Sequence, residues 1–300
     1  MSAATLSVVP RGRARTHTYF LPLPEPLRSL SDEIDTRIAE LPTRSNEYGY
    51  DAFGMDVETI RRLVLPFALL YRYWFRAGTT GIERVPAGRV LLVANHAGNT
   101  FPFDGVMLAL ALFFEATPPR VVRGMGEYYL PRIPFFSVFM HRMGSVVGTP
   151  ENCGQLLQRG EAIAVFPEGH RGFIKPYHKR YQLQRFGLGF MRLALDTRTP
   201  IVPIGIAGGE EQMPGLLDVK WLGRLFGAPA FPVTLTFPWL GLAGLWPLPI
   251  KYRIHFGEPL LFEGDPHEED REVEKKVDVV KLAIRELVGD ARSARRSWFF

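Results

Sequence analysis

The chain predicts an α/β fold: a largely parallel central sheet flanked by helices, with an amphipathic helix on its N-terminal side. Short apolar runs of strand length stand at 89–94 (RVLLVA), 162–166 (AIAVF) and 200–206 (PIVPIGI), and each reads as a buried strand. Residues 105–115, 151–159 and 186–196 carry helical patterning between those runs, the alternation expected of parallel strands joined by helices. With 46% hydrophobic residues among 300, the chain has material for a sizeable core.

Ahead of the first strand, residues 1–55 mix Pro, Arg, Ser and acids around one short helical pattern at 27–41 and read as an N-terminal extension without a catalytic role. Its start, MSAATLSVVPRGRAR, sets a very short apolar stretch before a basic one, the reverse of a secretory signal. Over 56–76, Ile60, Leu63, Val64, Phe67, Leu70, Tyr71 and Trp74 recur at three- and four-residue intervals, with Arg61, Arg62, Arg72 and Arg76 as the charged residues and Pro66 as a kink. Such a stripe suits a helix packed on its own core and a helix lying on a membrane equally well. Beyond the last apolar run, 221–249 carries Trp221, Trp239 and Trp246 among repeated prolines and suits a bilayer interface, or a cap on the core. Residues 251–256 (KYRIHF) alternate as a half-buried edge strand does. Val273, Val277, Val280, Ile284 and Leu287 mark a helix ending at Gly289, and 290–300 form a basic, aromatic tail able to anchor on anionic lipid. The expected organisation is one domain over 56–289 between the extension and the tail.

A formal net charge of +5 favours anionic partners. The single cysteine, Cys153, can neither close an internal disulfide nor share a metal with a second thiol, which suits a reducing compartment. Every apolar run is interrupted before the roughly 18–20 residues of a spanning helix, so a protein that meets a membrane is expected to lie on it. There is no Gly-x-Ser-x-Gly elbow, no phosphate loop and no His-Glu-x-x-His helix, which disfavours a covalent hydrolase or a zinc enzyme, and no metal is expected.

Two stretches carry chemistry. In 95–105 (NHAGNTFPFDG), Asn95 and His96 follow a buried strand directly, where open α/β sheets bind ligands. An imidazole there is a candidate general base, and Asp104 is the nearest carboxylate able to orient it; Asp104 also suits a helix N-cap. In 166–172 (FPEGHRG), Glu168, Gly169 and Arg171 follow the next apolar run, so two strand-end loops converge on one crevice. From Gly169 to Leu195 there is no acid, while Arg171, Lys175, Lys179, Arg180, Arg185 and Arg192 supply a positive wall suited to a phosphate headgroup.

In this order the two blocks resemble the lysophospholipid and glycerol-phosphate acyltransferase family over about 78–212. Asn95 and His96 match the start of its first motif, residues 166–169 and Arg171 its third, with Gly172 where Ser is usual, and 201–205 (IVPIG) its fourth. In the family four residues separate the His from the Asp; here seven separate His96 from Asp104, so the loop must bulge. The second motif's phosphate-binding Arg has no counterpart in 144–152 (GSVVGTPEN), where Thr149 and Pro150 read as a helix start, and Arg142 is the nearest substitute. The resemblance implies transfer of a fatty acyl group from acyl-CoA or an acyl-carrier protein, as co-substrate without a further cofactor, to the hydroxyl of a lysophospholipid or related glycerolipid. His96 and Asp104 would be catalytic, and Asn95, Glu168, Gly169, Arg171, Lys175, Lys179, Arg180 and Arg142 substrate-binding. The expected partners are an anionic membrane surface on the cytoplasmic face, met peripherally, with an acyl donor and a lipid acceptor and no nucleic acid. A neutral acceptor such as diacylglycerol, and a non-catalytic lipid-binding protein on this fold, are the alternatives.

Overall fold

The computed structural model of the chain describes residues 24–42, 45–98, 101–126, 135–219, 232–297 and 299. It begins with α1 (Glu25–Glu40) and α2 (Val57–Leu69), the latter capped by Asp56, whose carboxylate accepts from the Glu58 N–H. Helix α2 runs through Pro66 and opens into a π-helical turn, Leu70–Trp74. There follow β1 (Gly78–Thr80), β2 (Val90–Ala94), α3 (Phe103–Glu115), β3 (Val122–Gly126), α4 (Phe136–Arg142), β4 (Val146–Val147) and α5 (Pro150–Gln158). Next are β5 (Ala162–Val165), the short α6 (His170–Phe173), α7 (Gly189–Thr197), β6 (Ile201–Ala207), β7 (Gly215–Asp218), β8 (Pro232–Thr234), β9 (Arg253–Phe256) and the long α8 (Asp270–Ser293). Trp221, Trp298 and Phe300 lie outside the described residues.

Seven strands form one sheet in the order β1-β9-β6-β2-β5-β3-β4, and β7 and β8 pair apart from it. The five strands from β6 to β4 run parallel, and β9 runs antiparallel to β6 with β1 parallel to it. The fold is therefore α/β with a mostly parallel central sheet. Its alternation divides the core: Val90, Leu92 and Ala94 face α1, α2 and α3, while Leu91 and Val93 face α5, α7 and α8. Each fully buried Leu or Val contributes about 1.5–3 kcal/mol by leaving water.

Three expectations change. Residues 253–256 are half-buried as expected, with Ile254 and Phe256 inward, but β9 is flanked by β1 and β6 and is not an edge strand. Helix α8 passes Gly289 to Ser293. The α2 stripe packs inward, since Ile60, Val64, Ala68 and Tyr71 are buried in the core, and Leu30 and Ile34 of α1 join the same cluster. Residues 25–40 are thus part of the folded core. Thr149 caps α5 by accepting from the Asn152 N–H, with Pro150 at the first position.

Candidate active site

Because β2 lies between β5 and β6 and all three run parallel, the loops leaving their C-terminal ends meet at one edge. From β2 come Asn95 and His96, from β5 the segment 166–169, and from β6 the segment 208–212. Asp104 sits inside the first turn of α3 with its carboxylate turned back toward His96 and Ala97. His96 Nδ1 and Asp104 Oδ2 are 2.7 Å apart, and the same oxygen accepts the Ala97 N–H at 2.7 Å. Asp104 Oδ1 accepts from the Gly105 N–H at 2.8 Å. Asp104 is buried and His96 half-buried, so the pair is largely shielded from solvent. The imidazole lies between two aromatic rings, Phe166 at 4.4 Å and Phe173 at 4.9 Å between centroids, which restrict its rotation. With Nδ1–H donated to Asp104, the tautomer leaves Nε2 as the basic nitrogen.

Glu168 holds the two loops together. Its buried carboxylate accepts the His96 backbone N–H at 2.9 Å through Oε1 and the Gln184 N–H at 2.7 Å through Oε2. Gly172 is required at this point: a Cβ there would lie 2.5 Å from the Glu168 Cβ. Beneath Glu168, Lys175 is also buried, with Nζ 3.7 Å from Glu168 and 2.8 Å from Glu210. Burial pushes the Glu210 carboxyl up to about 6, with Lys175 pulling it the other way. Beside this lies a second buried cluster, in which Glu211 pairs with Arg295 at 2.8 Å and accepts from the Tyr181 hydroxyl. The Tyr181 oxygen in turn accepts from Arg295 and from the Gly208 N–H, each at 3.0 Å. Burial and the neighbouring Glu211 hold the Tyr181 phenol far above its usual range.

Among the expected substrate-binding residues, the structure separates inward from outward groups. Asn95 is buried, and its amide both donates to the Ile206 carbonyl at 3.0 Å and accepts its N–H at 2.8 Å, splicing β2 to β6. Glu168 and Lys175 are likewise committed within the fold. Gly169 opens α6, Arg171 and Lys179 point outward, and Arg180 lies over the Tyr177 ring at 4.7 Å. Arg142 sits elsewhere, at the start of α2, with its guanidinium 4.0 Å over the Tyr50 ring and 3.8 Å from Asp56. Glu210 and Glu211 are not among the expected site residues, although GGEEQ sets two acids just after a buried strand at the ligand-binding edge.

A strand-end His–Asp pair braced by a buried Glu from the next loop suits proton removal from a hydroxyl beside an electrophilic acyl group. Residues 76–207 match the Acyltransferase family model. The chain belongs to this acyltransferase family. An uncharacterized protein of Mycobacterium leprae is 38% identical over 97% of this chain and 81% of its own length. A Mus musculus protein named as a DGAT1/2-independent enzyme synthesizing storage lipids is 24% identical over 74% of this chain, which spans 64% of it. Among solved structures, the 1-acyl-sn-glycerophosphate acyltransferase PlsC of Thermotoga maritima aligns with a TM-score of 0.47 at 18% identity, covering 79% of this chain and 84% of that one.

Proposed function

We propose that the protein transfers a fatty acyl group from a thioester donor, acyl-CoA or an acyl-carrier protein, to the free hydroxyl of a lysophospholipid or related glycerolipid. The observation that carries this reading is the 2.7 Å contact of His96 with Asp104 at the edge where three strand-end loops meet. His96 Nε2 takes the hydroxyl proton, and the oxygen attacks the thioester carbonyl. The tetrahedral intermediate collapses with cleavage of the C–S bond. The proton passes from His96 to the departing thiolate, leaving an ester, a free thiol and the neutral imidazole. Asp104 steadies the imidazolium between these steps, and no acyl-enzyme forms. Asn95, Glu168 and Lys175 hold the frame, while the outward Arg171 and Lys179, with Arg180 beside them, face an anionic headgroup.

A neutral acceptor such as diacylglycerol is the second reading, favoured by the relatives named for storage-lipid synthesis. Incubation of the protein with acyl-CoA and each acceptor in turn, followed by lipid mass spectrometry, separates the two. The first reading predicts acylation of the lysophospholipid, weakened by Arg171→Ala. Acylation of diacylglycerol alone, indifferent to Arg171, would replace it with the second, and vesicle binding without turnover on either would leave a lipid-binding protein.

A further inference from the structure

The strand directions place more than the catalytic loops at this edge. Strand β6 ends there, and the antiparallel β9 begins there, so segment 208–252 leaves and re-enters the sheet on the side of His96. Strand β1 runs with β9, which brings the end of the π-helical turn to the same edge. The C-terminal tail arrives as well, since Arg295 reaches Glu211 and Arg76 donates to the carbonyls of Pro249 and Phe299 at 2.7 Å each.

These three segments share two properties. The first is charge: no acidic residue occurs between Glu58 and Glu83, between Asp218 and Glu258, or after Asp290, and Glu210 and Glu211 at the start of the middle segment are buried. Arg76, Arg253 and Arg295 gather there, with Lys251 and the exposed Arg296 next to them in the chain, and the Arg253 guanidinium is pushed down by burial and by the cations of Arg295 and Arg76 near it. The second is exposed apolar surface. Loop 236–244 is closed on itself by the Thr236 hydroxyl donating to the Gly244 carbonyl at 2.8 Å, yet it turns Trp239 outward at 69% exposure and Leu242 at 84%. Leu240, Trp246 and Tyr73 are more than half exposed too. Trp246 is held edge-on to Trp74 at 6.0 Å, and the Trp74 indole donates to the Pro247 carbonyl, which fixes this loop to the π-helical turn. Bulky apolar tips carried on a hydrogen-bonded loop, rimmed by cations without acids, match the headgroup–acyl boundary of an anionic bilayer.

We propose that this corner docks on an anionic lipid bilayer, with Trp239, Leu240, Leu242 and Trp246 entering the interface and Arg76, Lys251, Arg253 and Arg296 facing the headgroups. The inference rests on the lipid acyl-transfer reading for its purpose and sets the His96 edge against the phase that holds the acceptor. A Cβ added at Gly209 would lie 3.1 Å from the Ala97 Cβ, so the segment that leads toward the docking loop sets out beside the catalytic loop.

The test is co-sedimentation of the full chain with phosphatidylcholine vesicles and with vesicles also containing phosphatidylglycerol. The expected results are stronger partition onto the anionic vesicles, weakened by salt, and a loss on the order of tenfold or more in Trp239→Ser/Leu242→Ser. Arg296→Glu should reduce the preference for anionic vesicles. All three side chains are exposed, so unchanged circular dichroism and Tm are expected of both variants. Equal vesicle binding by wild type and the double variant would overturn the proposal. So would a wild-type dimer in light scattering that the double variant dissolves, which would assign the patch to a second copy. Patch-dependent binding without turnover would sink the enzymatic reading and leave the docking face standing; turnover with patch-independent binding would do the reverse.

Discussion

Glu168 shows how much depends on one buried carboxylate. Both of its oxygens accept backbone N–H groups, one from the catalytic loop and one from the basic segment, so an amide in its place must turn a donor toward a donor. Glu168→Gln is expected to lower stability by about 1–3 kcal/mol in urea denaturation and to reduce turnover through the loosened His96 backbone. Unchanged stability would mean that the two loops are held by other contacts. The sequence singled out this residue through its motif, but as a group facing substrate. Motif spacing reports that a residue type is needed and does not say which way it points; the two N–H partners, from positions far apart in the chain, appear only in the folded structure. The His96–Asp104 pair was legible, because a strand-end imidazole needs a carboxylate and Asp104 is the nearest.

At the scale of elements, the apolar runs revealed β2, β5 and β6, whereas β1, β3 and β4 gave no such signal. Strand β3 reads VRGMG, and its Arg123 is buried because Asp51 and Glu161 pair with it, an arrangement that hides a strand from any hydrophobic pattern. Short edge strands such as β4 bury little and need little apolar sequence. The contact of α8 with β6 has its own requirement. A Cβ at Gly205 would lie 2.4 Å from the Leu287 carbonyl carbon and 2.5 Å from the Val288 nitrogen, both backbone atoms of α8. Gly205→Ala should therefore push α8 off the sheet and cost about 1–3 kcal/mol or more, read as a lower urea midpoint. Since α8 delivers Arg295 to Glu211, turnover should fall as well; a variant as stable as wild type would contradict this packing.

Across the whole molecule, the buried charges beneath the catalytic edge couple stability to pH. The fold raises the Glu210 carboxyl from 4.5 to about 6, so the folded state favours its protonated form. Its contribution is then fully present below about 4.5 and is lost as pH rises through about 6, a change on the order of 1–2 kcal/mol. The difference in Tm between wild type and Glu210→Gln should move against wild type across that window, and a difference independent of pH would contradict the burial of an ionised Glu210. No helix among the described residues is long and apolar enough to cross a membrane. The mostly parallel sheet sets the geometry of the site, because every loop that carries chemistry leaves it on one side. Acyl transfer at that edge depends on His96 acting as the base. Its most direct test is the turnover number for acyl transfer in wild type, His96→Ala and Asp104→Asn, each checked for unchanged folding by circular dichroism. The expected result is a fall of about 10²- to 10⁴-fold in His96→Ala and a large fall in Asp104→Asn, with little change in KM for the acceptor. Near-normal turnover in His96→Ala would contradict it.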